Sequence, residues 1–177
     1  MAEFERLLNA RQLSLLQELQ KPLPIESIDF RVQSVKNGGA VILAYKDARV
    51  DMNRLDEVVG PYNWKREHDG EYCTVSLYDS DKDAWISKQD VGTESNTEKE
   101  KGLASDSFKR ACFNWGIGRE LYDYPFIYVK LEQDELPKNI YPNSWRWYSE
   151  FTDGKLSYLG AIDKKKRVRF EYGKKKS

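Results

Sequence analysis

Apolar positions along the chain follow two rhythms, one helical and one alternating, and the points where the rhythm switches mark out the elements. Phe4, Leu7, Leu8, Leu15, Leu16 and Leu19 recur near helical spacing until Pro22 and Pro24 stop the run, which predicts an amphipathic N-terminal helix. Ile28, Phe30 and Val32 then alternate with polar neighbours. Asn37-Gly38-Gly39 is a turn, and Ala40 to Tyr45 reads as the returning strand of a hairpin. From Arg49 the spacing of Met52, Leu55 and Val58 predicts a short helix closed by Gly60 and Pro61. Tyr62 to His68, Tyr72 to Tyr78 and Ala84 to Val91 read as a meander whose turns are Asp69-Gly70 and Asp79 to Asp83.

The period changes again at Thr97-Glu98-Lys99-Glu100, which has the form of a capping box. It opens a long helix with a core stripe of Ala104, Phe108, Ala111, Cys112 and Trp115, ended by Gly116-Ile117-Gly118. Phe126 to Leu131 predicts a further strand, Leu136 to Asn143 a loop, and Asp153-Gly154 the turn of a last hairpin after the Trp145-Arg146-Trp147-Tyr148 cluster. The class is α+β: an antiparallel meander and hairpin sheet packed against one long helix, with an N-terminal amphipathic helix. We divide the 177 residues into an N-terminal helix (1–24), a core domain (25–160) and a basic C-terminal extension (161–177).

Composition narrows the function classes. No apolar run is long enough to span a bilayer, and the mixed, acidic N-terminus is unlike a targeting peptide, so the expectation is an intracellular protein. With one histidine, His68, and two distant cysteines, Cys73 and Cys112, neither a structural zinc site nor a Cys–His nucleophile pair is readable. No phosphate-binding loop occurs, and Gly116-Ile117-Gly118 follows a helix instead of opening one. We therefore expect no cofactor, no metal and no catalytic residue. Glu98-Lys99-Glu100-Lys101 imitates a nuclease strand only as a charged helix start.

The net charge of zero hides an asymmetry. From Ala161 onward, eight basic residues (Lys164, Lys165, Lys166, Arg167, Arg169, Lys174, Lys175 and Lys176) face only Asp163 and Glu171. A basic end beside an acidic body suits contact with a polyanion, although a solvated tail is the commoner meaning of such a run. Val168, Phe170 and Tyr172 alternate within it, as in an edge strand. On the long helix, Lys101, Lys109 and Arg110 lie off the apolar stripe, and Arg119 follows the helix end; a solvated helix face explains the same spacing. Arg49 opens the short helix, where a cation opposes the dipole. Trp145 and Trp147 beside Arg146 fit either stacking on nucleobases or a contact between protomers.

Two stretches taken together resemble a known family. One runs from Ala48 and Arg49 to Gly60-Pro61-Tyr62-Asn63-Trp64. The other runs Asp90-Val91-Gly92-Thr93-Glu94, Glu100-Lys101-Gly102-Leu103-Ala104-Ser105-Asp106-Ser107-Phe108-Lys109-Arg110-Ala111 and Trp115-Gly116-Ile117-Gly118-Arg119. Over Arg49 to Pro125 this is similar to the Rad-fifty-two/Rad-twenty-two superfamily of single-strand annealing proteins, especially its short bacteriophage members.

The resemblance implies protomers assembled side by side into a ring or filament, with single-stranded DNA in a basic groove, backbone inward and bases exposed. By position, Arg49 and the pair Lys109-Arg110 match residues that contact the DNA backbone, and Tyr62 lies within one residue of another contact. Phe113 stands where eukaryotic members place a further basic residue, and Arg119 is its expected substitute. The partners implied are single-stranded DNA, its complementary strand and further copies of the chain, with an exonuclease or a host single-strand binding protein beyond them. Three readings compete with this: a binding module that protects single strands without annealing them, a metal-dependent nuclease and a structural assembly protein.

Overall fold

The computed structural model of the chain describes residues 10–93, 99–135 and 139–175, with side chains for all of these except 99–101. The chain forms two compact units, each assembled from separate stretches: Met1–Lys21 with Ala48–Arg119, and Pro22–Asp47 with Glu120–Ser177. The class is α+β, with three three-stranded antiparallel sheets. No helix among the described residues is long and apolar enough to cross a membrane.

The first unit holds α1 (Ala10–Leu19), α2 (Ala48–Val58), β3 (Trp64–Asp69), β4 (Tyr72–Asp79), β5 (Ala84–Val91) and α3 (Lys99–Trp115). The meander gives the sheet order β3-β4-β5, with Val75 facing Arg66 on one side and Lys88 on the other. Strand alternation turns Cys73, Val75 and Leu77 to one face of this sheet, where they meet Phe108, Ala111, Cys112 and Trp115 of α3; all seven are buried. Leu55 of α2 and Leu19 of α1 complete this core. Arg54 ties α1 to α2, donating to the carbonyls of Glu18 at 2.9 Å and Lys21 at 2.8 Å, groups that the end of α1 leaves without helical partners.

The stripe on α3 departs from the sequence reading at its start. Ala104 is exposed and Ser107 is buried, because the first turns of α3 cross the end of β5 at Gly92. A Cβ on Gly92 would lie 2.6 Å from the Leu103 carbonyl oxygen and 2.7 Å from the Ser107 amide, so the helix backbone itself rests on this glycine. The expected capping box and the charged start at Glu98 lie outside the described residues or their side chains. Gly116 ends the helix with φ 98°.

The second unit holds β1 (Ile28–Lys36), β2 (Gly39–Lys46), β6 (Ile127–Lys130), β7 (Arg146–Thr152), β8 (Lys155–Ile162) and β9 (Val168–Gly173), in sheets ordered β1-β2-β6 and β7-β8-β9. Two hairpins turn on residues with positive φ, Asn37 (53°) with Gly38 (73°) and Asp153 (53°) with Gly154 (75°), the signature of tight twisted turns. Trp145 and Trp147 are buried at 9 % and 8 % exposure, with Trp147 stacked on Phe30 at 3.6 Å between ring centroids. Neither ring is a surface platform for nucleobases or for a second protomer. The sequence placed aromatics beside Arg146 but did not show that Phe30 closes over them.

Arg169 caps the same stack, its guanidinium 4.5 Å from the Trp145 ring centroid. Its side chain is 2 % exposed, and it is paired with Glu135 (Nη2 to Oε2 2.7 Å) and with Asp163 (Nη1 to Oδ2 3.3 Å). Asp163 also shapes the β8–β9 turn. Its carboxylate accepts the amides of Lys165 at 2.8 Å and Arg167 at 3.0 Å, and Arg167 Nε at 2.7 Å. Val168 to Gly173 is thus an edge strand, but Val168 and Tyr172 of its apolar alternation are exposed and the residue it buries is Arg169. Burial pushes the Glu135 and Asp163 carboxyls up, but hydrogen bonds and the charges of Arg169 and Arg167 overcome it and hold both below the usual range. The Lys165 ammonium, with Arg167, brings exposed Asp134 down to about 2.

Carboxyls depressed in the folded state give stability that is present above their unfolded range, about 4, and is lost as pH falls through the folded values. Acidification from about pH 4 toward 2 should therefore release β9, followed by the near-ultraviolet dichroism of the tryptophans. Arg169→Met leaves two buried carboxylates short of their cation and should cost about 3–5 kcal/mol at neutral pH. The gap between variant and wild type in thermal melts should narrow as pH falls; a gap independent of pH would contradict the role given to Arg169.

Candidate nucleic-acid interface

The last turn of α3 is fixed before its charges are placed. Trp115 Nε1 donates to the Val75 carbonyl at 3.0 Å, which locks the rotation of the helix on the central strand. With Phe108, Ala111, Cys112 and Trp115 committed to the sheet, Lys109 and Arg110 fall on the flanks of α3, both half-buried. Arg110 leans toward β5 and donates through Nε to Asp90 Oδ1 at 3.2 Å. Asn114, one turn later, donates to the Gln89 carbonyl at 3.1 Å and to Asp90 Oδ2 at 3.2 Å. The Arg110–Asp90 contact uses one nitrogen and is 39 % exposed on the arginine side, so it is a weak tie that orients the guanidinium. Among the described residues, Lys109 has no ion-pair partner.

Arg119 returns to the helix it follows. Its Nε and Nη2 donate to the Phe113 carbonyl at 3.0 and 2.8 Å, and Nη2 also reaches the Asn114 carbonyl at 3.1 Å. Arg119, the expected substitute for a cation at Phe113, thus caps the carbonyl end of α3, where the helix dipole favours a positive charge. Lys88 joins it from β5: its ammonium donates to the Asn114 carbonyl at 2.7 Å and lies 4.5 Å from the Trp115 ring centroid. Burial and the Arg119 charge lower the Lys88 pKa.

Arg49 is exposed in the first turn of α2, the helix packed beside α3. Tyr62, 93 % exposed, stands in the turn beyond the other end of α2, a helix of eleven residues and about 16 Å. The structure therefore places Lys109 and Arg110 on α3, returns the Arg119 guanidinium to the carbonyl end of that helix, and sets Arg49 and Tyr62 toward opposite ends of its neighbour. The Lys101 side chain lies outside the described residues.

The residues that sequence reading passed over are Lys88 and Arg66, the two sheet cations on the α3 side. The signal was available in the alternation: both share a register position with Val75, where an apolar residue continues a core. His68 and Cys73 lie 3.8 Å apart on the same face. Burial pushes the Cys73 thiol up to about 11, and burial with the Arg66 charge lowers His68. At neutral pH this is a protonated thiol beside a neutral imidazole, with no thiolate for covalent chemistry. Among the described residues, no three Asp, Glu, His or Cys side chains group as metal ligands.

No protein-family model matches the chain. It is similar to the single-stranded DNA-binding protein DdrA of Deinococcus radiodurans, with 32% identity over 115 residues, covering 60% of this chain and 54% of that protein. The DdrA of Deinococcus deserti matches at 32% identity over 126 residues, 63% of this chain and 58% of the relative. The chain thus spans little more than half the length of the curated relatives it matches.

Arg119→Ala removes the donors that close the end of α3 and should lower stability by about 1 kcal/mol. Lys109→Ala, which removes no partner among the described residues, should stay within about 0.5 kcal/mol of wild type. Thermal melts of the two variants compare them directly, and equal midpoints would show that Arg119 caps nothing.

Proposed function

We propose that this chain binds single-stranded DNA along the α3–α2 side of its first unit and anneals complementary strands without nucleotide or metal. The observation that carries the reading is the Lys109–Arg110 pair, held off the core by the Trp115–Val75 bond and half-buried on the flanks of α3. Arg49 and Tyr62 extend the contact surface over α2, with Lys101 on α3 and Arg119 at its carbonyl end. The similarity to proteins named for single-stranded DNA binding supports the ligand class. The resemblance to the annealing superfamily supports the activity and a side-by-side assembly of protomers, which one short helix face needs if it is to form a continuous groove.

The physics asks for no fuel. Pairing of complementary strands is downhill by about 1.4 kcal/mol per stacked step. The slow part is bringing two repelling, self-folded polyanions into register. A row of Lys and Arg neutralises phosphates and releases counterions, and a strand held extended with its bases unpaired has already given up ordering entropy before its partner arrives. Protection of single strands without annealing is the second reading, favoured by the wording of the relatives' name. A strand-pairing assay separates the two.

Lys109→Ala with Arg110→Ala removes no core volume and suits a helix interior, so fold and assembly should persist. The double variant should lose most annealing, and its log–log salt dependence should flatten by about 0.7 per lost contact, the same for every sequence. Lys82→Ala, in an exposed turn and 3.6 Å from Asp79, serves as the control for generic charge. Wild-type annealing should proceed in EDTA without nucleotide. An unchanged salt slope in the double variant would place the groove elsewhere, and a strict need for magnesium or ATP would end the annealing reading.

A further inference from the structure

Neighbours on β3 look in opposite directions. Trp64, Arg66 and His68 stand opposite Leu77, Val75 and Cys73 of β4, on the side that carries α3. Arg66 thus occupies a position where an aliphatic side chain would widen the core, yet it is exposed and lies with its guanidinium 4.9 Å from the Phe108 ring centroid. Lys65, one residue earlier, turns to the other face, where its ammonium lies 5.2 Å from the Trp85 ring centroid and 3.6 Å from the Glu67 carboxylate.

We propose that Arg66 is a further phosphate-contacting residue for single-stranded DNA, seated on the Phe108 ring at the β3 edge of the sheet, while Arg110 leans toward β5 at the other edge; this rests on the α3 face being the DNA interface. Phe108 lies in the same turn of α3 as Lys109 and Arg110, so the Arg66 guanidinium is level with that pair along the helix axis though on the sheet side of it. The other cation resting on an α3 ring, Lys88, already gives its ammonium to the Asn114 carbonyl. Arg110 shares Asp90. Among the described residues, no carboxylate or carbonyl accepts from Arg66, and its contact there is the Phe108 ring.

A ring occupies the flat face of a guanidinium and leaves its N–H edge open, the edge that matches two phosphate oxygens at once. Stacking also limits the rotamers that a long side chain gives up on binding. The local field agrees: after burial, the Arg66 charge is what holds His68 below its ordinary pKa. An arginine at an aliphatic position gives up core area, and a held, outward-facing donor edge is what the chain obtains in return.

The test measures binding of a labelled oligothymidine by the full chain across salt from about 50 to 200 mM, for Arg66→Ala, Arg66→Lys, Lys65→Ala and the Lys109/Arg110 double alanine variant. Arg66→Ala should weaken binding about three- to fivefold near 0.15 M salt and flatten the slope by about 0.7. Arg66→Lys should keep the slope and lose part of the affinity, since an ammonium neutralises a phosphate without the planar fork. Lys65→Ala, of equal charge and on the opposite face, should change neither. If Ala at 66 lowers the melting temperature, Arg66→Gln, which keeps a long stem, takes its place. A slope unchanged in the 66 variants but flattened in the double variant overturns the assignment of Arg66 alone. A slope unchanged in all of them overturns the α3 reading. Equal losses from Lys65→Ala and Arg66→Ala show generic charge and overturn the proposal as well.

Discussion

The seam between α3 and the central strand β4 decides where everything else in the first unit can go. Phe108, Ala111, Cys112 and Val75 are closed into it completely, and burial of a large side chain such as Phe108 or Val75 contributes roughly 1.5–3 kcal/mol. The indole of Trp115 adds direction to that burial, because only one rotation of the helix lets its N–H meet the Val75 carbonyl. Once that rotation is set, the positions of Lys109, Arg110 and Asn114 follow, and the turn at Gly116 and Gly118 brings Arg119 back to the helix end. The polar clamp on Asp90 is then a consequence of packing, and so is the placing of two cations on the carbonyl end of the helix.

Aromatic rings serve throughout as seats for cations, and the seats differ in what they leave available. Arg169 on Trp145 is enclosed, its donors divided between Glu135, Asp163 and the Lys130 carbonyl, so its charge serves the fold of the second unit. Lys88 on Trp115 is spent on a helix terminus. Lys65 on Trp85 is shared with Glu67. The same contact type thus supports a buried strut, a helix cap, a surface pair and, at Arg66, an open donor edge. Exposure and the second partner separate these cases, and neither follows from the ring contact itself.

Local rules made the strands and helices legible. Asn37-Gly38 and Asp153-Gly154 demand positive φ and deliver hairpins, Gly60 and Gly116 close helices, and the two-residue rhythm of Tyr72 to Tyr78 sets the faces of β4. What was not legible depends on partners distant in sequence. Phe30 covers Trp147 from more than a hundred residues away, which turned an apparent surface platform into core. Ala104 gave way to Ser107 because a glycine on another element lets the helix backbone descend onto it. Arg66 kept its secret for a simpler reason: a charged residue at an inward position looks like noise in an alternating strand until the ring beneath it is seen.

Both cysteines of the chain lie in the α3–β4 seam, Cys73 on the strand and Cys112 on the helix, and both are fully closed to solvent. A thiol reagent can reach them only when the helix and strand part, so the rate of modification reads the opening of that seam directly. The native sequence therefore contains its own reporter of the mechanical integrity of the α3 platform. No label need be introduced to ask whether a bound ligand clamps the helix down or lifts it.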